Sequence, residues 1–120
     1  MTILIVDDEP KLLSLLTAHF EYQHHTVYGT ESGEEALVLL QQHQPQVAFV
    51  DLWLKGNLTG QDVLRDAKRL FPQMHVVIVS GDEETPPDTI LQLGATAFLK
   101  KPIQLEALDG LLAQMQEGKR

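Results

Sequence analysis

The sequence contains no cysteine, which excludes disulfide bridges and thiol chemistry. It has no apolar run near the roughly 20 residues that a membrane-spanning helix needs, and its N-terminus lacks the basic start of a signal peptide. Positive charge is also scarce, because 9 basic residues stand against 17 acidic ones, for a formal net charge of −8. These absences fit a cytoplasmic protein that does not contact a membrane, and they argue against nucleic-acid binding by this domain.

The composition is otherwise that of an ordinary globular protein. Hydrophobic residues make up 43% of the chain and charged residues 22%, which is typical of a soluble domain with its own core. A length of 120 residues suits one domain and leaves little room for a second. We therefore expect a single domain over residues 1–120, with a frayed tail at 117–120.

Short apolar runs alternate with helical patterns along the whole chain. The predicted strands are 3–6, 26–28, 47–50, 76–79 and 97–99. Each is followed by a helical repeat, which predicts an α/β fold with a mainly parallel sheet covered on both faces. The fourth helix, expected at 86–93, should be short because Pro86-Pro87 restricts its start and Gly94 ends it.

Polar residues follow four of these strands. Asp7 and Asp8 follow the first strand and Asp51 the third, whereas the fourth and fifth lead to Ser80 and Lys101. Because parallel strands joined by right-handed crossovers end along one edge of the sheet, these side chains should converge there. Clustered carboxylates repel one another unless a cation joins them, and oxygen ligands suit Mg²⁺, for which Mn²⁺ could substitute. Such a site favours phosphoryl transfer, with a carboxylate as the nucleophile.

Each of these residues alone has an ordinary explanation. Acidic residues after a strand are usually solvated or form turns, Ser80-Gly81 is a turn signal, and Lys100-Lys101 would be a solvated pair. The functional interpretation depends on their order along the chain: an acid pair, an acid, a hydroxyl and a lysine follow strands one, three, four and five.

Four segments that bear these residues resemble the receiver domain of bacterial two-component response regulators. They are 3–9, 47–54, 77–81 and 94–102. The resemblance implies a flavodoxin-like (βα)5 fold with strand order 2-1-3-4-5 and helices on both faces. It also implies that the chain is either a whole regulator or a domain of a longer regulator or hybrid kinase.

The resemblance assigns a role to each site residue. It implies that Asp51 is phosphorylated and that Ser80, Lys101 and the switch aromatic Phe98 respond to the phosphoryl group. The implied Mg²⁺ ligands are Asp7, Asp8, Asp51 and the backbone carbonyl of Trp53. The side chains of Trp53 and Asp82 stand where the family tunes the lifetime of the phosphorylated state.

The resemblance further implies a signalling role rather than an enzymatic one. The phosphoryl group would come from a sensor histidine kinase or a histidine phosphotransfer protein. The domain would catalyse only its own phosphorylation and dephosphorylation, and would then change its partner-binding face. Any exposed part of the last helix would be a candidate homodimer face.

Three other functions fit the sequence less well. A haloacid-dehalogenase-type phosphatase would need an aspartate at position 53, where Trp53 stands. A flavodoxin would need a hydroxyl- and glycine-rich phosphate loop after the first strand, where the sequence has Asp7-Asp8-Glu9. A receiver-like module that acts without phosphorylation would be expected to lack one of the acids or the lysine, and this chain keeps them all.

Overall fold

The computed structural model describes residues 1–117, so the last three residues of the expected tail lie outside the described part. Five strands alternate with five helices within it. The elements are β1 (Thr2–Val6), α1 (Pro10–Tyr22), β2 (Thr26–Thr30), α2 (Gly33–His43), β3 (Val47–Asp51), α3 (Gly60–Leu70), β4 (His75–Ser80), α4 (Pro87–Gln92), β5 (Ala97–Lys100) and α5 (Leu105–Glu117).

The five strands form one parallel sheet in the order β2-β1-β3-β4-β5, as expected. One core cluster packs β-sheet residues against α2, α3 and α4, and it includes Leu40, Leu64 and Ile90. The other packs the opposite face against α1 and α5, through Phe20 and Leu112 among others. The predicted helix-covered sheet is therefore confirmed.

The strands are longer than the sequence pattern alone predicted. The second strand was expected to end at residue 28, but β2 continues to Thr30, where Gly29 pairs with Ile5 and Thr30 with Val6. Gly29 has a low intrinsic preference for strands, so the extension comes from pairing with the buried β1 rather than from local propensity.

The helices begin at identifiable caps. The Ser32 hydroxyl accepts a hydrogen bond from the backbone N–H of Glu35 (3.1 Å) at the start of α2. At the start of α3, Thr59 and Asp62 form a reciprocal capping box. Both caps satisfy backbone donors that have no partner within the helix.

The fourth helix is short, as predicted from Pro86-Pro87. It spans six residues, Pro87–Gln92, and buries Ile90. Pro86 is in an extended conformation and cannot extend the helix backwards, and Gly94 has a φ of 106° after its end. Proline and a left-handed glycine therefore bound this helix on both sides.

One helix start lies directly against the end of the central strand. The backbone N–H of Gly60 donates to the carbonyl of Leu52 (2.9 Å). A β-carbon at position 60 would lie 2.1 Å from the backbone oxygen of Asp51, well inside any normal contact distance. The absence of a side chain at Gly60 therefore allows α3 to pack against the segment that carries Asp51.

The last helix packs its apolar stripe into the core. Leu108, Leu112 and Met115 are buried there. Among residues 1–117, no helix combines the length and apolar character required to cross a lipid bilayer.

Candidate functional site at the carboxyl edge of the sheet

Three carboxylates meet where β1 and β3 end. Asp7 and Asp51 are buried and Asp8 is partly exposed. One oxygen from each lies within 4.8 Å of the others. The acid pair and Asp51 therefore meet at this edge of the sheet, as predicted.

The backbone fixes the orientation of these carboxylates. The N–H of Glu9 donates to Asp7 Oδ1 (2.8 Å) and the N–H of Trp53 to Asp51 Oδ1 (3.3 Å). The N–H of Lys55, in the loop after β3, donates to Asp8 Oδ2 (3.0 Å). The three acids are therefore held in place by the loops that follow their strands.

Burial makes the two inner carboxylates reluctant to ionise. It raises the pKa of Asp7, although the hydrogen bond from Glu9 and the charge of Lys101 oppose the shift. It also raises the pKa of Asp51, where the nearby Asp7 charge adds to the effect and Lys101 again opposes it. The site therefore concentrates negative charge that is only partly compensated, which favours binding of a cation.

The Lys101 ammonium provides part of that compensation. Its Nζ lies 3.3 Å from Asp7 Oδ2 and 3.4 Å from Asp51 Oδ2. Burial alone would lower the pKa of Lys101, but a hydrogen bond to Glu9 and the charges of Asp51 and Asp7 outweigh it and raise the pKa. Lys101 is thus a firmly protonated donor beside Asp51.

The chemistry of this donor set fits a magnesium ion. Magnesium is bound through one or two carboxylates and several waters, with metal–oxygen distances of about 2 Å. One oxygen from each of Asp7, Asp8 and Asp51 lies within 4.8 Å of the others, so a single ion could be reached by all three, directly or through water. Asp7, Asp8 and Asp51 can therefore hold the ion, whereas the Trp53 carbonyl as a further ligand stays a prediction.

Ser80 and Phe98 lie on the neighbouring strands β4 and β5, which pair with each other. Ser80 is fully buried at the end of β4, and its hydroxyl accepts a hydrogen bond from the N–H of Asp82 (3.0 Å). Its carbonyl accepts from the N–H of Lys101 (2.9 Å), which brings the ends of β4 and β5 together. Phe98 is partly buried against the core cluster of α2, α3 and α4.

Trp53 and Asp82 are connected directly. The indole Nε1–H donates to Asp82 Oδ2 (3.0 Å), although the Trp53 side chain remains largely exposed. Hydrogen bonds from the Thr85 hydroxyl, the Glu84 N–H and the Trp53 indole lower the pKa of Asp82 to about 2. The two residues expected to tune the site thus join the loop after β3 to the loop after β4.

One member of the site was missed by sequence reasoning. The shortest carboxylate contact of Lys101 is with Glu9 Oε1, at 2.8 Å. Glu9 directly follows the acid pair in the sequence, so it was visible as part of an acidic triplet, but nothing in the spacing indicated which way its side chain turns.

Comparison with known proteins agrees with this geometry. Residues 3–113 match the family described as the response regulator receiver domain. The nitrogen assimilation regulatory protein NtrX of Azorhizobium caulinodans is 34% identical over 109 residues, which cover 88% of this chain and 24% of that protein. The chain thus spans about a quarter of that curated relative.

Solved structures give the same result. A CheY-like receiver domain protein of Methanospirillum hungatei is 25% identical with a TM-score of 0.89, over 98% of this chain and 95% of that one. The receiver domain of NtrX from Brucella abortus is 27% identical with a TM-score of 0.88, over 96% of this chain and 98% of that one. The chain belongs to the response regulator receiver domain family.

Proposed function

We propose that this domain is a signalling switch that accepts a phosphoryl group on Asp51. The observation that carries the proposal is that a buried Asp51 lies beside a second buried carboxylate, Asp7, and that the Lys101 ammonium contacts both. A receiver domain of response regulators is consistent with this role. The proposed donor is a phosphohistidine on a sensor kinase or a phosphotransfer protein.

The proposed reaction is a nucleophilic displacement. An oxygen of Asp51 attacks phosphorus, the bond from phosphorus to the donor nitrogen breaks, and an acyl phosphate forms on Asp51. The protein's main contributions are alignment and neutralisation of charge, and Lys101 supplies one positive charge beside Asp51. A Mg²⁺ ion held by Asp7, Asp8 and Asp51 would supply the rest of the neutralisation.

The proposed response to phosphorylation begins at Ser80. Its hydroxyl, which accepts a hydrogen bond from the N–H of Asp82, would donate one to a phosphoryl oxygen, and this would draw the loop after β4 toward Asp51. Phe98, partly buried two residues before Lys100, would then move inward. We propose that the surface around α4 and β5 changes its partners as a result.

Trp53 and Asp82 are proposed to set the lifetime of the acyl phosphate. Their hydrogen bond ties the indole of Trp53, in the loop after β3, to the loop after β4. An indole in this place would restrict the approach of water to phosphorus. Trp53→Ala should therefore shorten the lifetime of the acyl phosphate. Trp53→Phe keeps an aromatic ring but removes the N–H that donates to Asp82, so it distinguishes shielding by the ring from the hydrogen bond.

Decay of ³²P-labelled protein after removal of the donor measures this lifetime without relying on fluorescence. If Trp53→Phe retains the wild-type lifetime, the ring alone suffices, and if it decays as fast as Trp53→Ala, the tie to Asp82 is required. An unchanged lifetime in Trp53→Ala contradicts a shielding role.

The wider setting is proposed from the family. We propose a cytoplasmic domain that catalyses only its own phosphorylation and dephosphorylation and does not bind nucleic acid itself. If the proposed homodimer uses α5, its interface consists of residues outside the stripe Leu108, Leu112 and Met115, because that stripe is buried in the core.

Trp53 allows a direct test, because it is the only tryptophan in the chain and lies beside Asp51. Beryllofluoride, a mimic of the phosphoryl group, is titrated into the protein with and without Mg²⁺ while indole fluorescence is followed. The proposal predicts a response that requires Mg²⁺ and that Asp51→Asn abolishes. A wild-type protein that does not respond would refute the proposal and favour an interaction module independent of phosphorylation.

A further inference from the structure

Lys101 is held most closely by a residue outside the metal-binding group. Its Nζ lies 2.8 Å from Glu9 Oε1, against 3.3 Å from Asp7 and 3.4 Å from Asp51. The Lys101 side chain is 17% exposed and the Glu9 side chain 59% exposed. Among residues 1–117, the shortest carboxylate contact of the Lys101 ammonium is therefore with Glu9, whose side chain faces solvent.

Backbone hydrogen bonds hold the main chain of Glu9, whereas its side chain is held by Lys101. Its N–H donates to Asp7 Oδ1 (2.8 Å), and its carbonyl accepts from the N–H of Leu13 (3.0 Å) in the first turn of α1. Although Glu9 is the N-cap residue of α1, its side chain makes no capping hydrogen bond. The carboxylate therefore serves Lys101 rather than the helix, and it can swing into solvent without disturbing α1.

A phosphoryl group on Asp51 would compete for the same ammonium. An ammonium has three N–H donors, and the three neighbouring carboxylates already match that number. Asp7 and Asp51 are buried and held by backbone donors, so they cannot leave. Glu9 is the partner that can be replaced, because water can solvate its carboxylate when Lys101 turns to a phosphoryl oxygen.

We propose that Glu9 is a positioning residue that holds Lys101 in the unphosphorylated protein and must release it when Asp51 carries a phosphoryl group. The inference rests on the proposed function. It adds that, in the unphosphorylated protein, the Glu9 carboxylate occupies the ammonium of Lys101 for which the phosphoryl group must compete. Glu9 thereby sets how readily the site takes up the phosphoryl group.

The proposal predicts opposite effects on the two ligands of the site. In Glu9→Gln, Lys101 is no longer drawn outward, so it interacts more with Asp7 and Asp51 and opposes Mg²⁺ more strongly. The same freed ammonium is more available to an anionic phosphoryl mimic. We expect Mg²⁺ affinity to fall and beryllofluoride affinity at saturating Mg²⁺ to rise, each by about two- to fivefold, the range of a partly exposed ion pair.

The experiment measures both affinities through Trp53 fluorescence in wild type, Glu9→Gln and Glu83→Gln. Glu83 is an exposed acid in the loop after β4. Among residues 1–117, Lys101 forms ion pairs with Asp7, Glu9 and Asp51, so Glu83→Gln removes the same charge from the same edge of the sheet without breaking any of them. The three proteins are then compared in a Lys101→Ala background. There the effect of Glu9→Gln should shrink to that of Glu83→Gln.

The possible outcomes distinguish a failure of the proposed role of Glu9 from a failure of the proposed function of the domain. Equal effects of Glu9→Gln and Glu83→Gln in the presence of Lys101 would overturn the inference in favour of a general charge effect. A fall in both affinities in Glu9→Gln would overturn it in favour of a structural role. A wild-type protein that binds Mg²⁺ but not beryllofluoride would instead overturn the proposed function. If Lys101→Ala binds beryllofluoride too weakly to measure, the Mg²⁺ titration alone decides the comparison.

Discussion

Because Gly60 packs directly against the end of β3, a single methyl group added at position 60 should displace the segment that carries Asp51. In Gly60→Ala, the new β-carbon would lie 2.1 Å from the backbone oxygen of Asp51 and 2.7 Å from Cα of Leu52. Both obstacles are backbone atoms, so no side-chain rotation can relieve the clash. Either α3 or the segment that carries Asp51 must move by about 1 Å to restore a normal contact distance.

The size of the effect follows from that displacement. Overpacking of a closely packed site costs about 1–3 kcal/mol, and we expect the upper end because the obstacle is backbone. A loss of about 3 kcal/mol is a large part of the total stability of a small domain. A shift of about 1 Å in a reacting group also costs roughly a hundredfold in rate, so phosphorylation should suffer beyond the loss of stability.

The test compares Gly60→Ala with Gly110→Ala, which makes the same chemical change. Gly110 lies on the exposed side of α5, where an added β-carbon meets nothing within 4 Å. Replacement there should stabilise the protein by about 1 kcal/mol through helix propensity. Urea unfolding gives the two free energies, and the phosphorylation rate with a small phosphodonor is measured where both variants are folded. The reasoning fails if Gly60→Ala matches the wild type in stability and rate.

Two further predictions concern the charge of Asp51 and the cap of α3. Because burial raises the pKa of Asp51 in the folded protein, folding takes up protons and wild-type stability falls as pH rises through that pKa. Asp51→Asn should therefore be more stable than wild type at pH 7.5 in the absence of divalent ions, and the difference should shrink as the pH falls toward the ordinary aspartate pKa of 3.8; urea unfolding across this range that shows no pH dependence of the difference would contradict this. Thr59→Ala removes the hydroxyl from the capping box of α3 and should cost about 1 kcal/mol in unfolding free energy, whereas Thr59→Ser should retain most of it; equal losses in the two variants would assign the effect to the methyl group instead.

The positions of the site residues could be predicted because they follow from topology. Once the strands are parallel, their carboxyl ends share an edge, and residues directly after those ends must lie near one another. This placed Asp7, Asp51, Ser80 and Lys101 together from the sequence alone. The short α4 was equally predictable, since proline and glycine limit the backbone at fixed positions.

Contacts that depend on side-chain direction or on close approach could not be predicted. The turn of Glu9 toward Lys101 depends on the path of the loop after β1, and the bond between Trp53 and Asp82 depends on two loops distant in sequence. The need for a glycine at position 60 arises only when α3 packs against β3. Each of these contacts arises from tertiary packing, so the local sequence pattern does not predict it.

The brevity of α4 has a consequence for where this molecule yields first. A helix of six residues has room for only about two internal i to i−4 hydrogen bonds, and isolated helices shorter than about 12 residues are marginal in water. The burial of Ile90, rather than the helix itself, supplies most of the free energy that keeps this segment ordered. We therefore expect the backbone amides of residues 87–92 to exchange by local opening sooner than those of the central strands.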